Sequence, residues 1–452
     1  MMELTNKKIL VVGLGKSGVS VARFLKELGA LVTVTDTKSK ESLGSIADDL
    51  QGAGIATVFG THHDDTFKDK DLIVLSPGVS HTIPPVKKAV SNQIPVVGEI
   101  ELASWFIREP IIAVTGTNGK TTTTTLVSDM LTCSGKTVFT GGNIGTPLID
   151  YLRHKEKKDL LVVEVSSFQL DTIQTFRPSV SILLNITDDH LDRYDNFNGY
   201  AASKIRIFEN QEESDTAVIY GDDPKIRALT KDIKCKSLFF GGAKDLPFHA
   251  VIETGQIRIN TPILSFSLDI ETLPLFGGHN FENIAASTLA AMAAGATEEG
   301  IRSALSQFKG LPHRIEYVDK LNGISFYDDS KATNVDAVLR ALEAFTCPVS
   351  LIMGGRDKGG NFSLLKDHVK KHVKKIIVIG EAAPVIKDAL SDVSDILKAR
   401  NMEEAVILAH QNASPGEAVL LSPACASFDM YNSYAERGND FRMAVSKLKV
   451  KK

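Results

Sequence analysis

Short apolar, β-rich runs recur along the chain, each closed by a Gly, Ser or Pro turn and followed by an amphipathic segment of helical period. That pattern predicts parallel sheets covered by helices, so the expected class is α/β. The first unit reads Lys8-Ile-Leu-Val-Val12, then Gly-Leu-Gly-Lys-Ser-Gly (13 to 18), a helix to about Leu28, and a second strand, Leu31 to Thr35, closed by Asp36. A third strand, Asp71 to Leu75, runs into Ser76-Pro77-Gly78. The grammar restarts at Pro110-Ile-Ile-Ala-Val-Thr115, with a second Gly-rich turn and a Thr-rich helix start. Later strands of this block end in Gly141-Gly142-Asn143, in Glu164-Val-Ser-Ser and in Asn185-Ile-Thr, before a mixed region from about 216 to 275 and an Ala-rich helix at 284 to 294. After Leu311-Pro312-His313-Arg314 a third block carries strands at Ser350 to Met353, Lys375 to Ile379 and Ala418 to Leu421. Boundaries are therefore expected near 98 and 310, giving domains at 1–98, 99–310 and 311–452.

Composition narrows the partners. With 51 basic against 55 acidic side chains the 452-residue chain has a net charge of -4, which excludes bulk attraction to nucleic acid. No apolar run approaches the ~20 residues of a membrane span, and Lys16 breaks the first apolar stretch before an export signal could form. Cys133, Cys235, Cys347 and Cys425 lie far apart and form no metal or disulfide pattern. A reduced, cytoplasmic setting is expected.

Gly13, Gly15 and Gly18 match G-x-G-x-x-G between a strand and a helix, where backbone N–H groups and the helix N-terminus suit a diphosphate. Leu14, Lys16 and Ser17 complete the turn. Asp36 sits where a nicotinamide enzyme would hold a ribose, so a dehydrogenase is the rival reading; a nucleotide diphosphate other than NAD fits equally well. A second loop is more specific. In Thr115-Gly-Thr-Asn-Gly-Lys-Thr121, Lys120 is placed to meet terminal phosphates and Thr121 to offer a hydroxyl to magnesium, although Val114 stands where a Walker A loop has its first glycine. A P-loop switch acting on a protein partner is a third possibility.

The string Gly116-Thr117-Asn118-Gly119-Lys120-Thr121-Thr122 resembles the ATP signature of the Mur ligases and the related folylpolyglutamate synthases. Glu164 in Glu-Val-Ser-Ser-Phe-Gln, Asn185-Ile-Thr-Asp-Asp-His190-Leu-Asp, Lys204 in Ala-Ser-Lys-Ile-Arg and Gly278-His-Asn-Phe-Glu-Asn283 follow in the family's order, so the resemblance spans the whole chain. Within the family, Ser76-Pro-Gly, Asp328-Asp-Ser-Lys-Ala-Thr-Asn334 and Ser422-Pro-Ala-Cys-Ala-Ser427 resemble the branch that adds D-glutamate to UDP-N-acetylmuramoyl-L-alanine.

The resemblance implies a Rossmann-like UDP-binding domain, a central P-loop ATPase-type domain and a C-terminal Rossmann-like α/β domain. It implies a monomer whose partners are ATP, D-glutamate and the nucleotide sugar, and two magnesium ions held by Thr121, Glu164, His190 and a carbamoylated Lys204. Asn280 and Asn283 would face adenine, with Arg314 and Asp329 reaching ATP from the third domain. Lys331, Thr333, Lys358, Ser427 and Tyr434 would surround D-glutamate. The nucleotide sugar would meet residues 13 to 18, Asp36, Thr37 and Ser76 to Gly78, with Asn143 at its acyl end. Taken alone, Lys204 reads as a surface helix lysine and Asn280 equally as a helix N-cap. The chemistry explains the cations. Like charges 4 Å apart repel by about 1 kcal/mol in water and about 4 kcal/mol at an effective dielectric near 20, so an anionic acid meets ATP only where positive charge offsets this.

Overall fold

The computed structural model describes residues 3–154, 156–189, 193–194, 196–242, 249–262, 264–273, 275 and 277–450. Its strands form three sheets. The first comprises β1 (Lys8–Val12), β2 (Leu31–Asp36), β3 (Ala56–Phe59), β4 (Leu72–Leu75) and β5 (Val96–Gly98), in the order β3-β2-β1-β4-β5 with every pairing parallel. Ile9 through Val12 are fully buried, which is why this strand reads as an unbroken apolar run rather than an alternation. Chain order reverses between β1 and β4, so the loops after these two strands open at the same point of the sheet edge, where ligands of such sheets bind.

Among the described residues the second sheet has nine strands: β6 (Ile111–Thr115), β7 (Val138–Gly142), β8 (Leu160–Glu164), β9 (Val180–Leu183), β10 (Thr216–Tyr220), β11 (Lys236–Gly241), β12 (Ala250–Glu253), β13 (Gln256–Asn260) and β14 (Ser265–Asp269). Strand β6 lies between β8 and β9, all parallel, which brings the loops carrying Gly116, Glu164 and Asn185 to one edge. The mixed region resolves into β10–β14, with an antiparallel β12–β13 ribbon. The Ala-rich helix begins at Gly278, six residues before the sequence pattern suggests, and ends at Ala293.

The third sheet orders β15 (Glu316–Leu321), β16 (Ile324–Asp328), β17 (Val349–Gly354), β18 (Val373–Ile379), β19 (Ile396–Lys398) and β20 (Ala418–Leu421) as β15-β16-β20-β17-β18-β19, antiparallel only at β15–β16. Alternate residues of these strands feed two separate cores: Leu351, Met353 and Leu420 face one helical layer, and Ile352, Val419 and Leu421 the other. By contacts the chain forms two compact units. One holds the first two sheets; the other holds the third sheet together with segments 186–197 and 269–282. Among the described residues, no helix is long and apolar enough to cross a membrane.

Candidate active site

The first glycine loop is held by side chains from neighbouring segments, Ser76 after β4 and Asp36 at the end of β2. Gly13 has φ +89°, and a Cβ on Gly18 would overlap the Gly13 carbonyl and stand 2.6 Å from Ser76 Oγ. Ser76 Oγ donates to Gly13 O at 2.7 Å, joining the turns after β4 and β1. Asp36 accepts from Leu14 N–H at 2.6 Å through Oδ2 and from Lys38 N–H at 2.8 Å through Oδ1. Both carboxylate oxygens thus pin backbone, so the buried Asp36 shapes the loop. Gly15 has open space where a side chain would be, and Lys16 Nζ donates to Gly145 O. Ser17 and Pro77 are half-buried, whereas Thr37 and Gly78 are exposed on the rim.

The second loop gathers more charge. Helix Lys120–Cys133 starts on Gly119, whose face carries Asn283: a Cβ there would overlap Asn283 Oδ1, and Thr123 Oγ1 donates to the same oxygen at 3.4 Å. Thr122 is buried in the first turn of that helix. Lys120 Nζ donates to Gly116 O at 2.9 Å and Thr117 O at 2.8 Å, so the ammonium is folded over the loop's own carbonyls. Lys204 Nζ donates to the same Gly116 oxygen at 2.9 Å and lies 4.5 Å from the Tyr200 ring centroid. At 1% exposure Lys204 is no surface lysine.

Glu164, buried at the end of β8, receives Thr121 Oγ1 on Oε2 and Asn143 Nδ2 on Oε1, each at 2.8 Å. Asn143, expected at a substrate's acyl end, is therefore also an orienting partner of this carboxylate. His190 lies outside the described residues.

The unit built on the third sheet holds the remaining candidates. Asn280 and Arg314, with Tyr317, Tyr327 and Phe345, line a cleft of about 670 Å³. Asn280 lies within helix Gly278–Ala293, three residues from Asn283, and is not its N-cap. Asp329 accepts from Ser422 Oγ at 2.8 Å and from Ile315 N–H at 3.3 Å; burial pushes its carboxyl up to about 7, against the pull of the Ser422 bond and the Arg314 charge. Lys331 Nζ sits 3.8 Å from the Tyr434 ring centroid, while Lys358 Nζ meets Asp189 Oδ1 at 2.8 Å. Thr333 is half-buried and Ser427 is buried. In helix Tyr434–Val450, Gly438 lets the His313–Asp328 pair, 2.7 Å apart, press against the backbone; a Cβ there would overlap His313 Nδ1 and stand 2.6 Å from Asp328 Oδ2.

Two further residues organise these loops in ways that sequence patterns do not reveal. Asn185 braces the second loop by accepting from Asn118 N–H at 2.8 Å through Oδ1 and from Thr117 N–H at 2.9 Å through its carbonyl. Arg437, 1% exposed, donates to Ser330 O at 2.8 Å and Cys425 O at 3.1 Å, tying the turns after β16 and β20. Asn185 opens the string Asn185-Ile-Thr-Asp-Asp-His190, which marks its place but not its bracing role; nothing local marks Arg437.

Three sheets carrying glycine-bounded loops, with a lysine, a buried carboxylate and hydroxyls around the middle one, define a nucleotide-using α/β enzyme. The chain belongs to the Mur ligase family, ATP-dependent enzymes that form amide bonds: residues 7–98 match the MurD-like N-terminal domain, 114–291 the Mur ligase middle domain and 313–425 the glutamate ligase domain. It is 51% identical over 449 residues to the UDP-N-acetylmuramoylalanine--D-glutamate ligase of Desulfosudis oleivorans, covering 99% of this chain and 98% of that one. Identity to the enzyme of the same name from Desulfatibacillum aliphaticivorans is 50%, over 99% and 100% of the two chains. The fold is shared with the MurF ligase of Thermotoga maritima in complex with ADP, at TM-score 0.61 and 19% identity over 98% of this chain and 96% of that one.

Proposed function

We propose that this protein joins D-glutamate to UDP-N-acetylmuramoyl-L-alanine in the cytoplasm, as a step in building a peptidoglycan precursor. The γ-phosphoryl group of ATP passes to the sugar's L-alanyl carboxylate, and ADP leaves. The amine of D-glutamate then attacks the acyl carbon, losing a proton, and orthophosphate departs with one oxygen of the former carboxylate.

The observation that carries the reading is the convergence of Lys120, Thr121, Glu164 and Lys204 on one loop, in a chain 51% identical along its length to a D-glutamate-adding ligase. Lys120 must leave its loop carbonyls to reach phosphate, which suits an ammonium stored beside its target. The paired oxygens of Thr121 and Glu164 fit the hard, oxygen-seeking character of magnesium, and Asn143 holds that carboxylate in place. Magnesium there would neutralise the phosphate chain, and a second ion would take His190 and carbamoylated Lys204.

The cleft at Asn280 and Arg314 suits a nucleobase, with Asp329 nearby for ribose. Lys331, Thr333, Lys358, Ser427 and Tyr434 would receive D-glutamate, and the first glycine loop the diphosphate of the nucleotide sugar. We place the domains at 1–98, 99–310 and 311–452 and take the working form to be a monomer.

The test is ADP release that requires both D-glutamate and UDP-N-acetylmuramoyl-L-alanine. Labelling the alanyl carboxylate with heavy oxygen should deliver label to orthophosphate; unlabelled phosphate from a working reaction would end the acyl-phosphate route.

A further inference from the structure

Within the unit built on the third sheet, the carboxylate of Asp189 is held like a bound anion. Its Oδ1 takes the Lys358 ammonium at 2.8 Å and its Oδ2 takes Asn334 Nδ2 at 3.0 Å, with 9% of the Asp189 side chain exposed. Asn334 cannot turn its amide freely, because Oδ1 caps helix Val335–Glu343 by accepting from Ala337 N–H at 2.9 Å. The cap therefore commits Nδ2 to point outward as a donor. Ammonium, oriented amide and the positive end of a nine-residue helix together select a carboxylate.

We propose that Lys358 and Asn334 form the seat for one carboxylate of the incoming D-glutamate, and that Asp189 occupies this seat until the substrate displaces it. The inference rests on the function proposed above and adds Asn334 and Asp189 to the amino-acid site. Exchanging one carboxylate for another conserves charge and hydrogen bonds, so Lys358 is never stranded without a counter-charge. Asp189 comes from the segment 186–197, ahead of helix Phe197–Ile205 and outside any strand, which leaves it free of a sheet's register.

The experiment is steady-state kinetics on the full chain. Asn334→Ser keeps a capping oxygen but removes the amide donor; KM for D-glutamate should rise about tenfold while KM for ATP stays within about twofold. Asp189→Asn removes the competing charge and should lower KM for D-glutamate, whatever happens to kcat. Asn334→Asp, which also caps, should weaken D-glutamate more than Asn334→Ser does, because it sets a like charge in the seat. An equal change in both KM values for Asn334→Ser, or a rise in the D-glutamate KM for Asp189→Asn, overturns the proposal. Wild-type protein without D-glutamate-dependent ADP release would instead defeat the underlying function, so the two failures are distinguishable.

Discussion

The two glycine loops of the first unit share a strand, turn, helix grammar and differ in where their charges point. The first is tied by neutral and anionic groups: Ser76 on Gly13 O, Asp36 on two backbone N–H groups, and its lysine turned away to Gly145. The second draws two ammonium groups onto one carbonyl and keeps a carboxylate and a hydroxyl in contact beside them. On the function proposed here, the contrast follows the task. A diphosphate that is only held needs N–H groups and a helix end; a phosphoryl group in flight needs cations whose field is set before it moves.

Lys120→Ala should break that contrast most severely, lowering kcat by about 10²–10³ or more while the protein melts normally. A loss below tenfold would mean that both loops merely bind. Lys204→Ala should come next, with activity lost and partly restored by a small added carboxylate. No rescue, with an unmodified Lys204 in a mass spectrum of the native protein, would remove its anionic role.

The first loop offers a sharper pair. Gly18→Ala should cost about 3 kcal/mol of stability in denaturant melts, because its Cβ meets backbone. Gly15→Ala should stay within about 0.5 kcal/mol yet raise KM for the nucleotide sugar, because its Cβ enters the open approach.

A pH-dependent effect is expected where helix Glu99–Ser104 meets helix Leu148–Tyr151. Glu99 is 1% exposed, accepts from Ile149 N–H at 2.7 Å through Oε1, and its Oε2 has no partner among the described residues. Burial pushes its carboxyl from about 4.5 to about 7. The folded chain thus keeps a proton that the unfolded chain gives up, a contribution complete below about pH 4.5 and lost as pH rises through about 7. Glu99→Gln should remove this dependence and gain about 3 kcal/mol over wild type at pH 8 relative to pH 4. Parallel stability curves for the two proteins would assign the proton elsewhere.

What the sequence made legible was local. Strand runs, both glycine loops and Glu164 at a strand end follow from patterns a few residues long. The helix starting at Gly278 was misjudged because Gly, His and Asn favour helix interiors poorly. Lys204 has no inward signal in its neighbours, yet it is drawn in by a carbonyl 88 positions away. Asp36 is legible as a strand end, but only the fold shows its two oxygens accepting from the Leu14 and Lys38 N–H groups. Asp189 and Asn334, 145 positions apart, meet only through the fold.

Gly438 closes a common route to a hardier protein. Replacing a mid-helix glycine with alanine usually gains about 0.5–1 kcal/mol. Here the added methyl would wedge apart the His313–Asp328 pair beside Tyr434, so a campaign to raise heat tolerance must spare the weakest link of its last helix.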